Sequence, residues 1–223
     1  LGALLSATLA LLPGLGADPR LFGPQKQAFP DLISIPWPEP AKDDTLPSYA
    51  ARIVSLLPPA DPLVVGGSSF GGMVALEISA RIPVRAVILI GSCRSPRALA
   101  PWIRAVSPLA RPLPASLLRP RHWGLGLAAP ILGCSRREDL DLAWSMVTTM
   151  TPAFLKWGIQ AVRSWRPGPV SVPVHHVHGA RDRMIPLRGV DPDVVVPGAG
   201  HLLTLTHAAA VNAFLADRMR DLG

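Results

Sequence analysis

The chain has only two cysteines, Cys93 and Cys134, with neither the spacing of a metal motif nor the density of a disulfide framework. Two free thiols in a reducing compartment are expected. Charge is scarce as well, 17% of residues against 49% hydrophobic, which excludes an intrinsically disordered chain. No apolar run is long enough to span a bilayer. The nearest, "LGALLSATLALLPGLGAD", is apolar over its first 17 residues but is interrupted by Pro13 and its glycines. It also lacks a starting Met and a basic n-region, and has Leu15 where a secretory signal needs a small residue two before Ala17. It reads as a buried strand running into a loop, and the expected location is cytoplasmic. Basic residues are not interleaved with exposed aromatics, so a nucleic-acid partner is excluded. There is no internal repeat.

What the chain does have is proline, 26 residues clustered in 36–62, 96–130 and 167–197, which mark loops and boundaries. Its length fits one domain, residues 1–223. The net charge of +7 is uneven: residues 94–166 hold ten Arg and Lys156 against Glu138, Asp139 and Asp141, a net of +8. Such a segment attracts anionic substrates or lipid headgroups. The plain alternative is an arginine-rich surface.

Short apolar runs alternate with helical patterns. Leu9–Leu12 reads as a strand, then a helix over Arg20–Phe29, a strand in "DLISIPW" and a helix in "LPSYAARIVSLLP". "PLVVGG" and "VRAVILIGS" are strands separated by the helix "FGGMVALEISARI". From Arg94 to about Pro169 no strand is expected, only helical stretches punctuated by proline. Strands return in "VSVPVHHVHG" and "DVVVPGAGH", before a last helix over Ala208–Arg220. The alternation implies a parallel sheet flanked by helices, with residues 94–168 a helical insertion over one end of it.

Ligands in such sheets bind beyond the carboxyl ends of the strands, so residues leaving each strand are the candidates. After the third strand, Gly67-Ser68-Ser69-Phe70-Gly71 matches G-x-S-x-G. Only Ser69 has glycine two residues away on both sides, which makes it the candidate nucleophile. A glycine-rich turn or phosphate loop is the plain alternative. Serine needs a base, and the base an orienting carboxylate. Asp182 follows the strand "VPVHHVH" and His201 follows "DVVV", giving the order Ser…Asp…His. Asp191 and Asp193 precede the last strand, at its opposite end, and are rejected. His122 lies in the insertion. His176 and His178 share a strand face next to His175, where a metal site would need a further Cys or carboxylate ligand, and His178 reads as bracing the acid loop. His207 caps a helix. The oxyanion donors are expected to be the backbone N–H groups of Phe70 and, from the loop "PGLGAD", of Leu15.

These residues together resemble the α/β-hydrolase superfamily, in its serine esterase and lipase-like branch, from about Leu9 to Leu222. The likeness is most specific in "LLPGLGAD", "VVGGSSFGGMVALEIS", "HVHGARDRMIP" and "PGAGHLLTLTHAAAV". It implies the triad Ser69, Asp182 and His201, the donors Leu15 and Phe70, and a cap over residues 94–168. Pro13-Gly14 stands where the family usually has His-Gly, and the N-terminal strand pair is largely missing, which leaves about six strands. Related dehalogenases and epoxide hydrolases use a carboxylate nucleophile, so a serine at 69 disfavours both.

The function expected is a cofactor-free, metal-free serine hydrolase cleaving a carboxylic ester or thioester through an acyl-enzyme. Its partner is a small acyl substrate, apolar if the insertion's Trp102, Trp123, Trp144, Trp157 and Trp165 face the cleft and anionic if its arginines do. Membrane contact through the basic segment is a lesser alternative, and oligomeric state is left open. The competing functions are a ligand-binding protein on the same fold, or an acyltransferase, thioesterase or lactonase using the same triad.

Overall fold

The structure, a computed structural model, describes residues 7–110, 112–118 and 124–222. His122 and Trp123 therefore lie outside the described residues. Six strands form one sheet: β1 (Thr8–Leu12), β2 (Ile33–Ser34), β3 (Leu63–Ser68), β4 (Ala86–Ile90), β5 (Val174–Gly179) and β6 (Val194–Val196). Every pairing is parallel, and the order is β2-β1-β3-β4-β5-β6. The helices are α1 (Gly23–Ala28), α2 (Leu46–Val54), α3 (Phe70–Ser79), α4 (Pro101–Val106), α5 (Gly124–Leu132), α6 (Arg137–Thr149), α7 (Pro152–Ser164), α8 (Leu203–Thr206) and α9 (Ala208–Leu222).

Side chains alternate across a strand, and the core divides accordingly. Ala10, Leu12, Val65, Val87 and Leu89 point toward α2, α3 and α7, among Tyr49, Ile53, Met73 and Phe154. Leu9, Leu11, Val64, Ile88 and Ile90 point the other way, against Leu21, Phe22, Val211 and Phe214. A sheet covered on both faces needs apolar residues at every position, which is why β4 reads AVILI without alternation. The amphipathic α2 starts where Thr45 caps the Ser48 N–H and the Ser48 side chain returns the bond, and it buries Leu46, Tyr49, Ala50 and Ile53.

Three elements depart from the sequence reading. β2 is two residues long, not seven, because Pro36 and Pro38 interrupt the ladder of this edge strand. The helix expected over Arg20–Phe29 splits into a 3-10 turn, Pro19–Phe22, and α1, which restarts with Pro24 in its first turn. Helix α5 was not anticipated, since Pro130 sits inside it. Helices α4 to α7 all lie between β4 and β5, and among the described residues of that interval there is no strand.

Candidate active site

Chain reversal between β3 and α3 is so tight that Ser69 adopts φ 50° and ψ −115°, the one non-glycine residue with positive φ among those described. Such strain persists only where the surroundings enforce it. The Ser69 N–H donates to Ile90 O at 3.0 Å, and its carbonyl accepts from Ser92 Oγ at 2.6 Å. Glycine is required on either side by close backbone approach. A Cβ at Gly67 would lie 2.5 Å from Leu12 O, and one at Gly71 would collide with the Leu12 and Pro13 carbonyls.

The three residues singled out from sequence meet at the carboxyl ends of β3, β5 and β6. Ser69 Oγ is 2.9 Å from His201 Nε2, and His201 Nδ1 is 2.7 Å from Asp182 Oδ2. A carboxylate only accepts, so Nδ1 donates to Asp182, and Nε2 is left to accept the Ser69 hydroxyl proton. The other carboxylate oxygen, Oδ1, accepts the N–H groups of Met184 and Ile185, both at 2.8 Å. Burial would raise the Asp182 carboxyl. The facing His201 imidazole, its hydrogen bond and that of the Ile185 N–H outweigh burial and hold it below the usual carboxylate range. His201 and Asp182 are both buried.

Leu15 and Phe70 line the same cavity as Ser69. Phe70 is the first residue of α3, so its N–H has no acceptor within the helix. The loop after β1 presses on the serine: a Cβ at Gly14 would be 3.6 Å from Ser69 Cβ. Trp37 Nε1 donates to Gly14 O at 3.3 Å and ties this loop down. Sequence reasoning missed Trp37, which lies beyond the short β2 with no motif to mark it.

The cavity in front of Ser69 has a volume of about 1020 Å³. Its lining is mostly apolar, with Met73, Trp144, Val147, Ile159 and Trp165 among the side chains. The tryptophans divide: Trp144 and Trp165 line the cavity, whereas Trp157 packs against Tyr49 with ring centroids 4.5 Å apart. Trp102 is exposed. Four arginines, Arg97, Arg104, Arg163 and Arg166, also line the cavity, and no described acidic residue does. Among the described residues of this part of the chain, the ion pairs are Arg136–Glu138 and Arg137–Asp141. Among the described residues, none of the four cavity arginines pairs with a carboxylate.

The helices over the cavity touch the histidine loop directly. Leu202 N–H donates to Leu132 O at 3.0 Å, and a Cβ at Gly200 would lie 2.5 Å from Gly133 Cα. No sequence signal foretold this contact. His176 and His178 do share a face, bonded ring to ring at 3.1 Å, and His178 Nε2 donates to Ile185 O in the acid loop. Among the described residues no group of three His, Cys, Asp or Glu side chains could hold a metal ion. His207 bonds Thr206 Oγ1 at the end of α8. Cys93 and Cys134 are free and buried, their thiols pushed up to about 11, chiefly by burial. No helix among the described residues is long and apolar enough to cross a membrane.

Comparison with known proteins follows this geometry. Residues 6–214 match the model of an alpha/beta hydrolase family. A pimeloyl-[acyl-carrier protein] methyl ester esterase of Aromatoleum aromaticum is 29% identical over 95% of this chain and 98% of its own. Among solved structures, a thermophilic esterase of Thermogutta terrifontis superposes with a TM-score of 0.74 at 18% identity, covering 97% of this chain and 90% of that one. MenH of S. aureus does so with 0.73 at 13% identity, covering 99% and 96%. At these identities the superpositions speak for the fold alone.

Proposed function

The chain belongs to the alpha/beta hydrolase family, and from that premise we propose that it is a cofactor-free serine hydrolase of carboxylic esters. The observation that carries this reading is the relay Asp182–His201–Ser69, with hydrogen bonds of 2.7 and 2.9 Å ending on a strained serine. Ser69 Oγ attacks the acyl carbon while His201 Nε2 takes its proton. The same imidazole, then charged and facing Asp182, returns the proton to the leaving alcohol. The backbone N–H groups of Leu15 and Phe70 stabilise the tetrahedral oxyanion, and water activated by His201 releases the acid. Residues 94–168 act as a cap on a single domain formed by residues 1–223.

The cavity narrows the substrate. Apolar walls suit an aliphatic acyl or alcohol portion, and four arginines that pair with no described carboxylate suit an anionic group on the same molecule. The Aromatoleum relative, named for the methyl ester of a pimeloyl chain on an acyl-carrier protein, supports an ester joined to a carrier over a small free ester.

Labelling with a fluorophosphonate, followed by mass spectrometry of the modified peptide, tests the reading. Modification at Ser69 is expected in the wild type and absent from Ser69→Ala and His201→Ala, with ester hydrolysis falling on the order of 10⁴-fold. A folded wild type that neither labels nor hydrolyses esters overturns it in favour of a binding protein.

A further inference from the structure

Two buried histidines behind the site take no part in that chemistry. His176 and His178 are successive residues on one face of β5, 3% and 0% exposed, with rings at 87° to each other. Imidazoles at this depth need a partner for each nitrogen or pay a desolvation penalty. Their partners fix both tautomers. His178 Nε2 is 2.8 Å from the carbonyl oxygen of Ile185, which only accepts, so Nε2 carries the proton. The lone pair is then on Nδ1, which faces His176 Nε2 at 3.1 Å. His176 must therefore carry its own proton on Nε2. Behind it, Asp193 Oδ2 accepts the His176 backbone N–H at 2.6 Å.

This chain of bonds ends on the residue that holds the acid. Ile185 donates its N–H to Asp182 Oδ1 at 2.8 Å and gives its carbonyl to His178. One residue is thus gripped from both sides, and His178 Nε2 is also 3.5 Å from Asp182 Oδ2, the oxygen that faces His201. We propose that His178, braced by His176, is a positioning residue that fixes the Asp182 carboxylate toward His201. The proposal rests on the triad reading above. An apolar side chain at 178 leaves the Ile185 carbonyl buried without a donor, so residue 185 shifts to find one. Asp182 Oδ1 shifts with it, and Oδ2 turns away from His201 Nδ1.

Both rings are held neutral. Burial pushes His176 down to about 3, helped by repulsion from His178 and Arg94 and opposed by Asp182. Burial also lowers His178, against the pull of the Ile185 carbonyl and Asp182 and with repulsion from His201. A neutral donor at 178 leaves the full negative charge of Asp182 to His201, where a charged one would share it.

Proton NMR of the His201 Nδ1–H···Asp182 hydrogen, which resonates far downfield when the bond is short, tests the strut without any substrate. The comparison is among wild type, His178→Leu, His178→Gln and His176→Leu, with melting curves for each and the fluorophosphonate labelling rate of Ser69 beside them. In His178→Leu the resonance is expected to broaden or vanish, and labelling to slow by up to about 100-fold, the scale of a small misplacement. His178→Gln, whose amide nitrogen donates near the place of Nε2, is expected to restore most of both. A comparably destabilised core variant such as Ile53→Val is expected to keep the resonance, which separates positioning from loss of stability. A folded His178→Leu with the wild-type resonance overturns the proposal, as does a glutamine variant no better than leucine. If His178→Leu does not fold, His176→Leu decides: a broadened resonance supports the strut and an unchanged one overturns it. A wild type that shows the resonance but never labels refutes the hydrolase reading, while the resonance still decides on the strut.

Discussion

The cavity has two walls that are held in different ways. On the sheet side, Ser69 and the loop after β1 are fixed by backbone: Ser69 N–H on Ile90 O, carbonyls of Leu12 and Pro13 against Gly71, and Gly14 against Ser69. On the other side, α7 is anchored through Phe154, Leu155, Ala161 and Val162, but α4 buries no residue and α6 buries only Met146, and the cavity arginines are exposed residues. Among the described residues, five of the eight exposed large hydrophobics fall between Trp102 and Leu117. Backbone contacts leave little freedom, whereas long side chains readjust at small cost. The rigid wall is suited to the reacting atoms and the adaptable one to selecting what is presented to them.

The sharpest way to break this contrast is Gly71→Ala. Its Cβ has nowhere to go between the Leu12 and Pro13 carbonyls. A cost of about 3 kcal/mol or more is expected, a fall in melting temperature of about 6–12 °C. Gly23→Ala, where nothing lies within 4 Å of the added carbon, is the control and should cost less than about 1 kcal/mol. Equal melting temperatures for the two variants would mean that the serine turn is not held by contact with β1.

Acid probes what stands behind that wall, where the two neutral-held histidines and Asp182 are buried. For His176 and His178 the folded pKa is depressed, so the unfolded chain binds protons first as the pH falls below about 6.5. Stability is then complete above about pH 6.5 and declines below it, by up to about 1.4 kcal/mol per pH unit for each histidine, with His176 contributing down to about pH 3. Asp182, also lowered, adds a further loss only below the ordinary carboxylate range. Urea midpoints at pH 7.5, 6.0 and 5.0 should fall in that order. A flat series would show that the pair is not buried neutral in solution.

How far these walls were legible in the sequence follows from the same difference. The sheet side was readable because each strand end carries its own local signal: Gly67 and Gly71 around Ser69, Asp182 three residues past the end of β5, His201 directly after the Gly198–Gly200 turn. Strand β4 was readable because burial on both faces forces an unbroken apolar run. The edge strand β2 was overextended, since "DLISIPW" has the right residues and the prolines that stop it act on the ladder, not on hydropathy. Trp37, Ser92 and the Gly133–Gly200 contact were invisible because they depend on which loops meet in space. The arginines were visible as charge, but nothing in 94–168 says which of them turn inward.

The opposite wall gives a smaller effect of a different kind. If the cavity arginines receive an anionic group, Arg163→Gln with Arg97→Gln should raise KM for an anionic ester by about 10-fold, roughly 1.4 kcal/mol. The same change should leave kcat and a neutral ester of equal chain length nearly unaffected. Added salt should narrow the difference, as it screens exposed charges. A matching rise for the neutral ester would assign these side chains to shaping the wall and not to reading charge.

The smallest effect belongs to the outer face of α4 and the turns after it. Leu109 and Leu117 are 62% and 63% exposed, so Leu109→Ser and Leu117→Ser remove little buried area. Each should change stability by no more than about 0.5 kcal/mol, against several for an apolar truncation in the sheet core such as Ile88→Ala. The result sharpens the comparison in either direction. Neutral outcomes leave this wall as one whose surface is free to serve recognition. A loss of 2 kcal/mol or more at Leu109, read from a denaturant midpoint at pH 7.5, would mean that these side chains are packed in solution. The helices over the cavity would then be as firmly fixed as its floor, and selection of substrate by their adjustment would have to be abandoned.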